Sequence, residues 1–170
     1  MPLFRAELNL LMPEFRLDYL DWKFDLNETV VALTATLTEH RVVLGRVLPP
    51  GVSINASTLA AHAWVHPVLM FSLLAAWPGI AWRRKPLLLL LGLPFLLMAE
   101  LLDVPVMLWG ALEDLIYFQF DPARVAESIG SRAQHFLDGG GRYALSILLA
   151  LAAVISFKKF LHAPNMCAPK

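Results

Sequence analysis

Glu100 and Asp103 stand three residues apart within and just after a run of aliphatic residues, Pro86 to Leu102. That spacing puts both carboxylates on one helical face. Two imidazoles, His62 and His66, are spaced i,i+4 at the head of another apolar run, and Arg142 opens a third. An acid near the centre of a membrane span costs about 2.5–3.5 kcal/mol on insertion scales, so acids kept there pair with something or serve a function. A cluster of His66, Glu100, Asp103 and Arg142 admits two readings. In the first, Arg142 neutralises Glu100 or Asp103 and so ties three helices together. In the second, the cluster is a docking or proton-responsive site built on a carboxyl beside a histidine.

Other chemistries find less support. Two His at i,i+4 with a carboxylate from a neighbouring helix match a zinc ligand set in type. The residues between them are Ala63, Trp64 and Val65, however, so the glutamate of an H-E-x-x-H motif is missing. No metal or cofactor is therefore expected. Ser72 and Ser146 lie in aliphatic surroundings with no base ordered by sequence, which suits packing positions in spans. The sole cysteine, Cys167, excludes an intrachain disulfide and any Cys-rich metal site. Formal net charge is zero, which gives no field for nucleic acid. No catalytic residue is assigned.

The elements that must position these groups follow from hydropathy. The chain of 170 residues is 58% hydrophobic and 16% charged, with mean hydropathy +0.59, more apolar than a soluble domain of this size needs. Trp64 to Trp82 contains no Asp, Glu, Lys or Arg, and Pro86 to Leu102 is mostly Leu. Each is long enough to cross about 30 Å of hydrocarbon at about 1.5 Å per residue. A third span runs from about Tyr143 to Phe157 and stops at Lys158-Lys159. The basic turn Arg83-Arg84-Lys85 makes the first two spans neighbours, and it falls on the same side as Lys158 and Lys159. Loop Lys and Arg mark the cytoplasmic side. The N-terminus is thus expected outside and the tail, 161–170, inside.

Ahead of the spans the pattern changes to a period of two. Leu20, Trp22, Phe24 and Leu26 alternate with Asp21, Lys23 and Asp25, and Leu33, Ala35 and Leu37 alternate with threonines. These read as half-buried strands turning at Asn27-Glu28-Thr29, with a third, less regular strand over Arg41 to Leu48 before Pro49-Pro50-Gly51. Such a meander needs a cover, from the bilayer, the outer loop or another protein. Pro105 is expected to bend or end the Leu-rich helix. In the outer loop, 110–141, Asp121-Pro122 reads as a helix start, with Val125, Ala126, Ile129, Ala133, Phe136 and Leu137 on one face and Gly139 as the stop. The expected fold is mainly α and membrane-integral. It comprises a β-rich outer segment, 1–60, then three transmembrane helices with an amphipathic outer-loop helix, 61–160, and a short tail.

This order of parts resembles the exosortase-associated membrane proteins of the exosortase H type, small bacterial inner-membrane proteins that accompany a sorting transpeptidase. The resemblance covers residues 15–157. It rests on the alternating segment ending near Val47-Leu48-Pro49, the apolar helix after Asn55, the Leu-rich helix after Arg83-Arg84, and the run Phe136-Leu137-Asp138-Gly139-Gly140-Gly141-Arg142 leading into the last helix. It implies an inner-membrane accessory whose partner is an exosortase-type transpeptidase or its substrate. The transpeptidases themselves depend on an outward-facing Cys with Arg and His, whereas Cys167 is expected on the inner face. Family members begin with a further hydrophobic helix. Either such a helix precedes Met1, or the N-terminal segment, which lacks signal-peptide organisation, crosses the membrane directly. The alternative function is a membrane enzyme or an oligomeric transporter using the outer acids and histidines; three helices alone enclose no transport path.

Overall fold

The computed structural model describes residues 1–25 and 27–162, excluding the His162 side chain. Leu26 and the tail beyond His162, Cys167 included, lie outside the described residues. The chain is mainly helical, with a small antiparallel sheet and two long apolar helical stretches.

The sheet is built from β1 (Phe15–Asp25), β2 (Glu28–Leu37) and β5 (Ser53–Leu59), in the order β1-β2-β5. Alternation in β2 has the expected physical result. Val31, Leu33, Ala35 and Leu37 are buried, while Thr34 and Thr36 face outward and bond across to Asn55 at 2.7 Å and Asp18 at 2.5 Å. Thr36 and then Arg16 hold the Asp18 carboxyl below its usual value by hydrogen bonding. A bulge between Leu17 and Tyr19 resets the phase of β1, so Leu17 and Leu20 both point inward. Trp22 and Phe24 stay 51% and 72% exposed near the turn.

The third strand is not where the sequence suggests. Arg41 to Leu48 folds on itself as a two-residue hairpin, β3 (Arg41–Val43) and β4 (Arg46–Leu48), because Leu44 and Gly45 both take positive φ, 53° and 76°. Pro49-Pro50-Gly51 then reverses the chain, and Gly51 N–H donates to the Leu37 carbonyl. This lays β5 along β2.

Two apolar cores share one rod. α4 (Lys85–Phe120) has 36 residues and a length of about 54 Å at about 1.5 Å per residue. Its C-terminal part presents Val104, Leu108, Leu112 and Ile116, every fourth residue, to one face of the sheet and to Leu8 of α1 (Pro2–Leu11). Its N-terminal part presents Leu88 and Ala99 to α3 (Val65–Ala76) and α6 (Arg142–His162), through Met70, Leu74, Ala153 and Phe157. The cover over the sheet is therefore the protein's own long helix together with α1. Pro105 neither ends nor interrupts α4, because burial of the stripe beyond it holds the helix in register despite the lost N–H.

Two stretches, Trp82–Phe120 and Ile129–Leu161, are long and apolar enough to cross a membrane. The helix expected over Trp64–Trp82 is shorter: Ala60–Ala76 is helical, and Pro78-Gly79 ends it. It divides at Trp64 into α2 (Ala60–Ala63) and α3, where Pro67 withholds the N–H that the Ala63 carbonyl would need. The Lys85 ammonium donates to the Ala75 carbonyl near the end of α3 and lies 5.3 Å over the Trp82 ring.

The outer-loop helix is also shorter than expected. Asp121 caps a 3-10 turn over Pro122–Glu127, and Ser128 starts α5 (Ile129–Phe136) by accepting from the Ser131 N–H. α5 faces α4 with Gly130 and Ser131, leaving Ile129 and Phe136 each 67% exposed. Its link to α6 is a wide turn, Leu137–Gly141, in which Gly140, at φ 115°, and not Gly139 makes the break. At Gly110 the helices touch backbone to backbone: a Cβ there would lie 2.7 Å from the Gly130 carbonyl oxygen. Gly110→Ala is expected to lower stability by about 1–3 kcal/mol, read as a drop in thermal midpoint in detergent, whereas Ala111→Gly at the next position should cost only about 1 kcal/mol.

Candidate functional site

The polar residues gather between the two cores, where α3, α4 and α6 meet. Each is carried there by an amphipathic interruption in an otherwise apolar helix. His66 comes from the first turn of α3, Asp103 from α4 one turn beyond Ala99, and Arg142 and Ser146 from the first turns of α6. His66 and Ser146 are 0% exposed, Asp103 1% and Arg142 6%.

Arg142 is the centre. Its Nε donates to both oxygens of Asp103 at 2.9 Å, and its Nη1 donates to Asp138 Oδ1 at 2.9 Å. His66 Nε2 lies 3.4 Å from Asp103 Oδ2, and Nδ1 lies 2.7 Å from Ser146 Oγ. Ser146 Oγ is also 2.9 Å from the Arg142 carbonyl, four residues back. The direction of the His66–Ser146 bond follows the imidazole tautomer. With the proton on Nδ1 the ring donates and the hydroxyl is free to donate to the Arg142 carbonyl; with it on Nε2 the ring accepts from the hydroxyl.

The structure thus brings His66, Asp103 and Arg142 together and leaves Glu100 apart. Glu100 makes no pair with Arg142. It is half-buried, its Oε1 is buried without a hydrogen-bond partner, and it lines a groove with Phe4, Trp22, Trp64 and Val104. Although Glu100 and Asp103 share a face, Arg142 reaches the residue one turn nearer the C-terminal end of α4. Glu100→Gln is accordingly expected to leave the thermal midpoint within the equivalent of about 0.5 kcal/mol of wild type; a larger fall would mean that the carboxylate itself is structural.

Two contributors were not assigned to the cluster from sequence. Ser146, read there as a packing position with no base, lies against one, because His66 is carried in from α3. Asp138 completes the arginine's partners at i−4. A second network also went unread. Arg41 of the β3–β4 hairpin donates to Glu113 of α4 at 2.5 Å, lies 3.4 Å from Glu14, and sits 5.8 Å over the Phe15 ring. Glu113 is 6% exposed and also accepts from Ser128 Oγ at 3.0 Å. It thereby fastens both the hairpin and the start of α5 to α4. The only signal was an acid beside the apolar stripe, directly after Leu112.

Chemically, the Ser146, His66 and Asp103 order is that of an acyl-transfer triad. The hydroxyl, however, has no exposed surface and bonds its own helix. Among the described residues, no three His, Cys, Asp or Glu side chains gather in a way that could hold a metal ion. Basic Arg83 and Arg84 are exposed at one end of the helices, with Lys158 and Lys159 exposed near the end of α6. No family model, curated protein or solved structure matches this chain.

Proposed function

We propose that the protein is a non-enzymatic scaffold of the bacterial inner membrane that holds a small sheet domain rigidly at the outer surface, with N-terminus outside and C-terminus inside. One observation carries this reading: α4 is a single helix that serves as core for both the apolar helices and the sheet domain. The apolar windows of Trp82–Phe120 and Ile129–Leu161 are only 28% and 33% buried. Helices this apolar with outward-facing Leu90, Leu97, Leu148 and Ile155 suit lipid far better than water. A rigid domain at a fixed height above a membrane is suited to binding another protein. The likeness in order of parts to exosortase-associated proteins supplies the partner class, a sorting transpeptidase or its substrate.

Thiol labelling tests the orientation. In a Cys167→Ser background, Ala123→Cys should react with a membrane-impermeant maleimide in spheroplasts, and Ala81→Cys only after lysis. The reverse pattern overturns the orientation. Photo-crosslinking from Tyr19 on the outer sheet face, in cells that also produce a sorting transpeptidase, tests the partner: an adduct with the transpeptidase or its substrate is expected, and none from a probe at Ala81.

The hydrolase reading draws on Ser146 Oγ lying 2.7 Å from His66 Nδ1. It requires that a fluorophosphonate label Ser146. The scaffold reading predicts no labelling in the folded protein, and labelling lost in Ser146→Ala would overturn it.

A further inference from the structure

We propose that the groove around Glu100 is a docking site for a basic side chain, Arg or Lys, on a membrane helix of a partner protein. This rests on the membrane reading above. The groove encloses about 240 Å³ and is lined by Phe4 of α1, Trp22 of β1, Ala60, Ala63, Trp64 and Pro67 of the α2–α3 segment, and Glu100 and Val104 of α4. Apart from Glu100 its lining side chains are apolar. A volume below the range of about 300–1,000 Å³ usual for small-molecule pockets suits a single inserted side chain.

Charge complementarity names the occupant. Arg142 is bonded to Asp103 and Asp138 and leaves Glu100, one turn before Asp103 on α4, outside that pairing. Glu100 Oε1 is left buried and unpartnered. Trp64 and Trp22, 68% and 51% exposed, line the same groove, so aromatic rings able to attract a guanidinium or ammonium share it with the carboxylate. Counting from Lys85, Glu100 is about 22 Å along α4 at about 1.5 Å per residue, inside the outer half of a bilayer of about 30 Å. A side chain borne on a partner's membrane helix lies at that depth, where the groove meets the base of the sheet domain. In a second copy, Arg83, Arg84, Lys158 and Lys159 lie at the other end and Arg142 is already bonded. Exposed Arg132 of α5 is the competing cation, and self-association lost in Arg132→Leu would assign the groove to a second copy and overturn the proposal.

The test uses the full chain in phosphatidylglycerol vesicles, with fluorescent poly-leucine transmembrane peptides carrying Arg or Leu at one outer-half position. Energy transfer to wild-type protein should give an apparent affinity about tenfold tighter for the Arg peptide, and Glu100→Gln should abolish the difference. Equal affinities for wild type overturn the proposal, as does a preference that survives in Glu100→Gln. A preference that vanishes when phosphatidylethanolamine replaces phosphatidylglycerol assigns the groove to a lipid ammonium and also overturns it. Flotation of the protein with the vesicles separates these outcomes from failure of the membrane reading: a chain that does not float refutes the scaffold in the bilayer, and one that floats without preferring Arg refutes only the docking site.

Discussion

Arg142→Leu is expected to cost about 3–5 kcal/mol, because it strands the carboxylate of Asp103, 1% exposed, in a poor solvent. Asp138 suffers less; its side chain is 42% exposed and can be hydrated. Asp103→Leu alone should destabilise comparably by leaving the guanidinium with only Asp138 and no partner for Nε. Since an apolar pair of similar volume can replace a buried ion pair at little cost, Asp103→Leu with Arg142→Leu should regain most of the loss. Thermal midpoint and the monodisperse fraction in detergent read all three variants. A double variant as weak as the singles would mean that the cluster contributes through shape or through His66, and not through the pairing.

The second large effect concerns the outer network. Glu113→Leu removes the acceptor shared by Arg41 and Ser128, leaving Arg41, 21% exposed, with only Glu14 at 3.4 Å and the Phe15 ring. A cost of about 3 kcal/mol is expected. Its signature is regional: hydrogen exchange should quicken in α5 and the β3–β4 hairpin while the inner halves of α4 and α6 stay protected. Ser128→Ala should cost about 1 kcal/mol, by loss of the α5 cap and one bond to Glu113. Uniform acceleration along the chain would mean that the two cores unfold as one unit.

Much of this architecture was legible in the residues where physics is local. The period of two in β2 reports a sheet buried on one face, and Leu33, Ala35 and Leu37 obey it. The stop at Pro78-Gly79 is equally local but was passed over in the span expected from Trp64 to Trp82, and the break before Arg142 falls at Gly140, one residue after the glycine expected to make it. Where the outcome depends on distant contacts, sequence fails. Arg41 to Leu48 is rich in β-branched residues, yet two positive-φ residues turn it back on itself, and the more polar Ser53–Leu59 takes the place beside β2. Pro105 opposes a helix by its own chemistry, and only the stripe of Val104, Leu108, Leu112 and Ile116 against the sheet reveals why α4 continues. At the polar site, spacing put Glu100 and Asp103 on one face but carried no information on which would meet Arg142. That choice depends on how α6 sits against α4, a packing of distant residues that includes Ala150 and Phe157 in the core the two helices share.

The scaffold proposed above requires that α4 leave a bilayer and continue as the core of a domain in water. Spin labels at Leu90, Leu97 and Gln119, all outward-facing along α4, test it in reconstituted vesicles by power saturation with oxygen and with a water-soluble nickel chelate. The first two should be accessible to oxygen and shielded from nickel, and Gln119 the opposite. Nickel access at all three positions would place the whole helix in water and contradict the account, as would oxygen access with nickel shielding at Gln119.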